Sequence, residues 1–142
     1  MSTRYIGLDP GERRIGVALS DTTGTIATPL QYIDTRAGNV LDVVTRMCAE
    51  HEVVAVVVGL PIGLDGTEGQ AAVKARAFGE AVGEATGLPV HLQDERFTSH
   101  TAETALIEGG VSRKVRKEKR DQIAAAVMLQ SFLDRQSNDA NG

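Results

Sequence analysis

Short apolar stretches separated by turn signals predict three β-strands in the first part of the chain. The strands cover residues 4–9, 15–20 and 25–34, and the turns between them are short and contain glycine. Strands joined by short turns predict an antiparallel meander. Pro29 lies inside the third strand. Because proline cannot donate a ladder hydrogen bond, it has to lie at a sheet edge or at an irregularity.

The spacing of apolar residues changes after Gly38. Apolar residues then recur with helical spacing, which predicts a helix over residues 39–50. Residues 53–59 are nearly all valine. A strand that is apolar on both faces is typical of the centre of a parallel sheet.

Helices and strands continue to alternate in the second half of the chain. Thr67, with Gln70 three positions later, matches a capping box and predicts the start of a helix that ends at Gly87. Residues 90–93 predict a short strand. Two further helices are predicted, one from residue 98 or 99 to the glycines at 109 and 110, and one from residue 121 to about residue 135.

This order of elements predicts an α/β fold. An antiparallel meander followed by βαβ units implies a five-stranded mixed sheet with helices on both faces. The crossover connections are expected to be right-handed. The length of 142 residues suits a single domain, which we assign to residues 1–135, with residues 136–142 as a polar and disordered tail.

Composition excludes several classes of protein. Hydrophobic residues make up 42% and charged residues 24% of the chain, as in ordinary globular proteins. No apolar run approaches the roughly 20 residues that span a bilayer, and no signal segment is apparent, so a cytoplasmic location is expected. Cys48 is the single cysteine, which excludes an intramolecular disulfide and a cysteine-based zinc site. A small buried residue on a helix is its expected role.

Basic residues are concentrated in one segment. Residues 113–120 hold six basic residues and one acidic residue, a local charge of +5 in a chain whose net charge is −4. This asymmetry favours a localised anion-binding patch, although a solvated loop has the same composition.

Three carboxylates lie where a surface role explains them poorly. Asp9 ends the first apolar strand, Glu95 follows the last one, and Asp121 opens a strongly apolar helix. If the two strands are parallel neighbours, their carboxyl ends meet at one edge of the sheet. Carboxylates that converge there repel one another unless a divalent cation neutralises them. The arrangement is that of a metal-dependent phosphodiester hydrolase.

Each of these features also has a purely structural interpretation. Asp9 before Pro10-Gly11 is a common turn, and an acid in the first turn of a helix gains about 0.3–1 kcal/mol from the helix dipole. Gly7 and Gly16 favour the functional interpretation, because glycine allows the backbone of a nucleic acid or a nucleotide to approach closely.

Seven short segments, taken together, resemble the YqgF family of RNase H-like proteins, whose members are named as pre-16S rRNA nucleases or Holliday junction resolvases. The resemblance runs in order and spacing from residue 5 to about residue 134. The segments are IGLDPG (6–11), RIGVA (14–18), SD (20–21), GLP (59–61), DGT (65–67), DER (94–96) and DQIAA (121–125).

The resemblance implies an RNase H-like fold and hydrolysis of nucleic-acid phosphodiester bonds that depends on Mg²⁺ or Mn²⁺. It implies that Asp9, Glu95 and Asp121 are the catalytic, metal-binding carboxylates, and it leaves the number of metal ions open. Asp94 is a candidate for the fourth acid that the wider superfamily often uses. The family is implicated in maturing the 5′ end of 16S ribosomal RNA. Precursor ribosomal RNA, alone or within the small-subunit precursor, or branched DNA is therefore the expected partner of a monomer or homodimer.

Basic side chains are expected to hold the phosphate backbone of that substrate, which gives affinity and salt dependence rather than sequence choice. The candidates are Arg14, Arg96, Arg113, Lys114, Arg116, Lys117, Lys119 and Arg120.

Two other functions share parts of this pattern. An aspartate followed by Pro-Gly and a hairpin also resembles the phosphate loop of the actin, sugar-kinase and heat-shock ATPase group, although 142 residues leave no second lobe to close over ATP. A non-catalytic RNA-binding assembly factor would use the basic segment alone.

Overall fold

Five strands form one mixed sheet in the computed structural model, which describes residues 3–63, 65–95 and 120–141. The strands are β1 (Tyr5–Pro10), β2 (Arg14–Ser20), β3 (Ala27–Asp34), β4 (Ala55–Leu60) and β5 (Val90–Asp94). Helices in the described ranges are α1 (Val40–Glu50), α2 (Gln70–Thr86) and α3 (Arg120–Asn141).

The strand order across the sheet is β3-β2-β1-β4-β5. β1, β2 and β3 pair antiparallel, whereas β4 pairs parallel with both β1 and β5. The predicted meander followed by parallel strands is therefore confirmed. The parallel pairing brings the carboxyl ends of β1, β4 and β5 to the same edge of the sheet.

Pro29 lies both at an edge and at an irregularity. β3 is an edge strand, and its register with β2 shifts between Val17 and Ala18, where Ala18 is paired with Pro29. The bulge accommodates a residue that has no N–H to donate.

The valine-rich strand β4 is buried because helices cover both faces of the sheet. Val56 and Val58 pack into the core beneath α1 and α2, together with Ile6 and Leu8. Val57 points to the other face and packs with residues of α3, including Ala125 and Leu129. A strand covered on both sides has no polar face, which explains the uninterrupted apolar run.

Two helix boundaries differ from the predictions, at the start of α2 and at the end of α3. The side chain of Asn39 caps α1, and Gly87 ends α2 with a φ of 71°, as the sequence indicated. The capping box at Thr67 was wrong, because α2 begins three residues later, after Gly69. The Thr67 hydroxyl donates instead to Asp65 Oδ1 at 2.7 Å, within the loop.

α3 continues to Asn141, past the end predicted near residue 135, so the expected disorder from residue 136 onward differs from the structure. No glycine or proline interrupts residues 120–141. Extending an existing helix by one residue fixes few torsions for each hydrogen bond gained, so polar residues of modest propensity are sufficient. The helix predicted from residue 98 or 99 lies outside the described residues.

Two expectations from composition can be compared with the structure. Cys48 is buried, and burial raises the pKa of its thiol to about 11, as suits a small core residue. Across the described ranges, none of the helices has an apolar stretch that could cross a membrane.

Candidate active site

The carboxylates of Asp9 and Glu95 meet above Gly59. An ideal Cβ placed on Gly59 would lie 2.5 Å from Glu95 Oε1 and 3.2 Å from Asp9 Oδ1. Both carboxylates therefore occupy the space that a side chain at this position would fill. The sequence predicted that these two acids converge at one edge of the sheet, and in the structure they do so above Gly59.

Parallel pairing explains why the two acids meet. Asp9 lies one residue beyond Leu8, the last β1 residue paired with β4. Glu95 lies one residue beyond Asp94, the last β5 residue paired with β4. Gly59 lies between them in β4, the strand that pairs with both β1 and β5, so both acids leave the sheet at the same level.

Burial and like charge strongly change the protonation of Glu95. Its pKa is raised to about 8, first because burial disfavours the charged form, then through a hydrogen bond with Asp9 and the negative charges of Asp9 and Asp94. At neutral pH a proton therefore stays on the pair, and the Glu95 carboxyl donates it to Asp9. A divalent cation would replace this proton and neutralise both carboxylates.

Asp121 reaches the same end of the sheet from the other side of β1. An ideal Cβ on Gly16 would overlap the carbonyl oxygen of Asp121, so the first turn of α3 packs directly on this glycine. Gly16 is the register partner of Asp9 in β2. Asp121 is thus placed one strand away from Asp9.

The carboxylate of Asp121 is paired with a cation. Its Oδ2 lies 3.8 Å from Nη1 of Arg14, and the side chain is 40% exposed. Within the described part of the chain, no three His, Cys, Asp or Glu side chains form a group that could hold a metal ion. The three predicted acids therefore appear as a close pair, Asp9 and Glu95, and a neighbour, Asp121, that is bound to Arg14.

The spaces above Gly7 and Gly16 are filled by a helix. A Cβ on Gly7 would lie 2.9 Å from Leu129 Cβ, and the space at Gly16 is filled by Asp121. The interpretation of these glycines as openings for a nucleic-acid backbone was wrong. They are required because α3 lies unusually close to the sheet.

Arg14 is held by an aromatic ring that the sequence pattern did not single out. Its guanidinium carbon lies 4.4 Å from the centroid of the Tyr32 ring. Tyr32 is the register partner of Gly16 in β3, so it lies on the same face as α3. This contact follows from the pairing of β2 with β3 and cannot be recognised from a sequence motif.

Gln93 is a second residue that the sequence did not indicate. It is 3% exposed, it is the register partner of Gly59, and its Nε2 makes no hydrogen bond to any described residue. Asp94 pairs with Leu60 and, because side chains alternate along a strand, lies on the α2 face. Asp94 therefore influences Glu95 through its charge without sharing the space above Gly59.

Only the end of the basic segment can be placed. Arg120 is the exposed first residue of α3, one position before Asp121. The remaining basic candidates lie outside the described residues: Arg96, Arg113, Lys114, Arg116, Lys117 and Lys119.

The donor set suits a hard divalent cation. Mg²⁺ and Mn²⁺ prefer oxygen ligands, and carboxylates supply both the oxygens and the balancing charge. Asp9 and Glu95 present two such groups over a glycine, and the raised pKa of Glu95 reflects its burial and the negative charges beside it. These two residues fit a metal ion, and Asp121 is the nearest further acid that the fold provides.

Comparison with known proteins agrees with this geometry. The model of the RuvX family, described as a Holliday junction resolvase, matches residues 3–135. Proteins named "Putative pre-16S rRNA nuclease" are 44% identical over 133 residues in Anaeromyxobacter sp. (strain Fw109-5) and 43% identical over 134 residues in Listeria innocua. Each alignment covers 92% of this chain, and 96% and 97% of the respective relatives.

A solved structure shows the same fold at much lower sequence identity. The RuvC protein of T. thermophilus, in complex with a Holliday junction substrate, superposes with a TM-score of 0.59 at 19% identity, covering 94% of this chain and 96% of that one. This likeness confirms the predicted RNase H-like architecture. Together with the family match over nearly the whole chain, it confirms the resemblance found in the sequence motifs: the chain belongs to the RuvX (YqgF) family.

Proposed function

We propose that this protein is a metal-dependent nuclease that hydrolyses phosphodiester bonds in the 5′ region of precursor 16S ribosomal RNA, which would place its work in the cytoplasm. The observation that carries the proposal is the meeting of the Asp9 and Glu95 carboxylates above Gly59, at the carboxyl end of parallel strands. The names of relatives that share more than 40% of their residues with this chain support the choice of substrate.

Asp9 and Glu95 would hold a Mg²⁺ or Mn²⁺ ion, and Asp121 would complete the set of acids. When bound, the ion activates water for attack on phosphorus and stabilises the charge of the leaving oxygen. The chain's own contribution is to fix the ligands. β1 and β5 present the first two carboxylates, and the packing of α3 on Gly16 fixes the third.

The basic residues would hold the substrate. Arg14 lies beside Asp121 and retains exposed N–H groups, and its side chain is 52% exposed. Arg14, Arg96 and the basic residues of 113–120 would contact phosphates on the approach to the acids. Such contacts predict affinity that falls steeply with salt concentration and depends little on sequence.

The proposal is tested by cleavage of end-labelled precursor 16S RNA with Mn²⁺ or with EDTA. The wild type should shorten the RNA only with Mn²⁺, and Asp9→Asn should abolish this activity while circular dichroism shows a folded protein. Glu80→Gln, an exposed acid on α2 across the sheet, is the matched control and should retain activity. Full cleavage by Asp9→Asn would contradict the assignment of the site.

Resolution of branched DNA is the second candidate, favoured by the family description as a Holliday junction resolvase. The same carboxylates serve both substrates because the backbone chemistry is shared. A four-way DNA junction, assayed beside the RNA, separates them. Symmetric nicking of the junction without cleavage of RNA would favour the resolvase, and it would require a symmetric dimer. Tight RNA binding without any cleavage would instead indicate a non-catalytic assembly factor.

A further inference from the structure

The guanidinium of Arg14 lies between an aromatic ring and a carboxylate at the edge of the candidate site. Its carbon lies 4.4 Å from the centroid of the Tyr32 ring, and its Nη1 lies 3.8 Å from Asp121 Oδ2. Both contacts come from different elements, β3 and α3, while Arg14 itself begins β2. Three separate segments of the chain therefore define the position of one side chain.

Strand register explains how these residues come together. Arg14 and Gly16 are two positions apart in β2, so they face the same side of the sheet. Tyr32 is the register partner of Gly16, and the backbone of Asp121 fills the space above Gly16. Tyr32 therefore lies beside the first turn of α3, on the side of the edge strand β3. The guanidinium of Arg14 lies over the Tyr32 ring.

Core packing does not account for this arrangement. Tyr32 is 39% exposed and the Arg14 side chain is 52% exposed. An exposed cation–π contact and an exposed ion pair are both weak interactions in water. Such contacts stabilise the fold little, but together they restrict a long side chain that would otherwise sample many rotamers.

Arg14 keeps donors available for a further partner. A guanidinium has five N–H donors in a rigid plane, and the contact with Asp121 uses one of its nitrogens. A planar fork of this kind binds phosphate oxygens in pairs. The guanidinium carbon lies over the ring and the side chain is 52% exposed, so its donors remain accessible to a ligand.

We propose that Tyr32 is a positioning residue whose ring holds Arg14 beside Asp121, so that Arg14 binds a phosphate of the nucleic acid next to the one that is cleaved. The proposal rests on the proposed nuclease function. It assigns to β3, the edge strand that carries none of the catalytic acids, a direct effect on substrate affinity.

Binding measurements test this role without relying on cleavage. The probes are a fluorescein-labelled fragment of precursor 16S RNA and a labelled four-way DNA junction, both in EDTA. Tyr32→Ala should raise the dissociation constant about three- to tenfold, and Tyr32→Phe should leave it within about twofold because the ring remains. In the Arg14→Gln background, Tyr32→Ala should add nothing, since the ring then has no cation to hold.

Salt dependence and kinetics distinguish positioning from a purely structural role. In a plot of the logarithm of affinity against the logarithm of salt concentration, Arg14→Gln should reduce the slope by about one. This is the change expected for the loss of one phosphate contact. In a cleavage assay, Tyr32→Ala should raise KM and leave kcat nearly unchanged. Arg46→Gln, an exposed arginine on α1 across the sheet, is the matched control and should change neither quantity.

Additive losses in the double variant, or unchanged binding by Tyr32→Ala, would overturn the positioning role. Because the readout is binding, this result is independent of whether the wild type cleaves the RNA. A wild type that binds but does not cleave would contradict the proposed nuclease function, while a cooperative effect of Tyr32 and Arg14 on binding would still support the inference.

Discussion

Two glycines flank Asp9 in the sheet, and the space above each is used differently. Above Gly16 in β2, the space is filled by the backbone of α3, which brings Asp121 to the site. Above Gly59 in β4, the space holds the carboxylates of Asp9 and Glu95 themselves. The first glycine leaves room for a helix, and the second leaves room for the two carboxylates of the proposed metal site.

The electrostatics of the two sides differ in the same way. On the Gly16 side, Asp121 is neutralised by Arg14 and is partly exposed to water. On the Gly59 side, two carboxylates share a proton, and the pKa of Glu95 is raised to about 8. The electrostatic repulsion is therefore strongest between Asp9 and Glu95, and a cation bound there would stabilise the site most.

Gly59→Ala should have the largest effect, and it should act on chemistry. The new Cβ would meet Glu95 Oε1 at 2.5 Å and Asp9 Oδ1 at 3.2 Å, so the carboxylates have to separate. Displacing metal ligands forfeits several kcal/mol of transition-state stabilisation, so we expect Mn²⁺-dependent cleavage to fall on the order of a hundredfold or more. Thermal unfolding should change little, because the far end of a flexible side chain can move. A lower melting temperature with undiminished cleavage would show that Gly59 serves packing.

Gly16→Ala should act on stability instead. The added methyl overlaps the Asp121 carbonyl, which belongs to a helix packed on the sheet, so backbone has to shift. Overpacking of this kind costs about 1–3 kcal/mol, measurable by urea unfolding. Gly83→Ala in α2 is the matched control, since its Cβ makes only ordinary contacts at 3.4 Å and 3.9 Å. It should stabilise the protein by up to about 1 kcal/mol through helix propensity. Equal effects at the two positions would contradict the close packing of α3.

The raised pKa of Glu95 predicts that the free energy of unfolding depends on pH through the Asp9–Glu95 pair above Gly59. The pKa is about 8 in the folded protein against an ordinary value of 4.5, so the folded state binds more protons between these values. The contribution of Glu95 to the free energy of unfolding therefore decreases as pH rises from about 4.5 to about 8. Glu95→Gln should flatten this trend in urea titrations performed in EDTA.

Metal binding should show the opposite trend with pH. Mn²⁺ has to displace the shared proton, so its affinity should rise by up to about tenfold per pH unit between pH 6 and 8. Calorimetric titration of the wild type measures this directly. A pH-independent affinity would indicate that Glu95 is not a ligand.

The sequence predicted the sheet better than the site. Asp9 and Glu95 could be placed together because strand ends in a parallel sheet follow from the apolar pattern of β1, β4 and β5. The roles of Gly16 and Gly59 could not be distinguished, since both are glycines near a strand end, and only the packing of α3 separates them. Tyr32 and Gln93 depend on cross-strand register, which hydrophobic periodicity does not fix to single residues.

The smallest effect is expected from separating Arg14 and Asp121. Their contact is 3.8 Å long and both side chains are substantially exposed, so the pair should contribute less than about 1 kcal/mol to stability. Arg14→Gln and Asp121→Asn, alone and together, measure this coupling by urea unfolding, and it should weaken further in high salt. A coupling above about 2 kcal/mol would mean that Arg14 holds α3 in place, and its effect on substrate would then be secondary. A small coupling, combined with the binding defect expected for Arg14→Gln, would mean that the pair is maintained for the substrate and not for the fold.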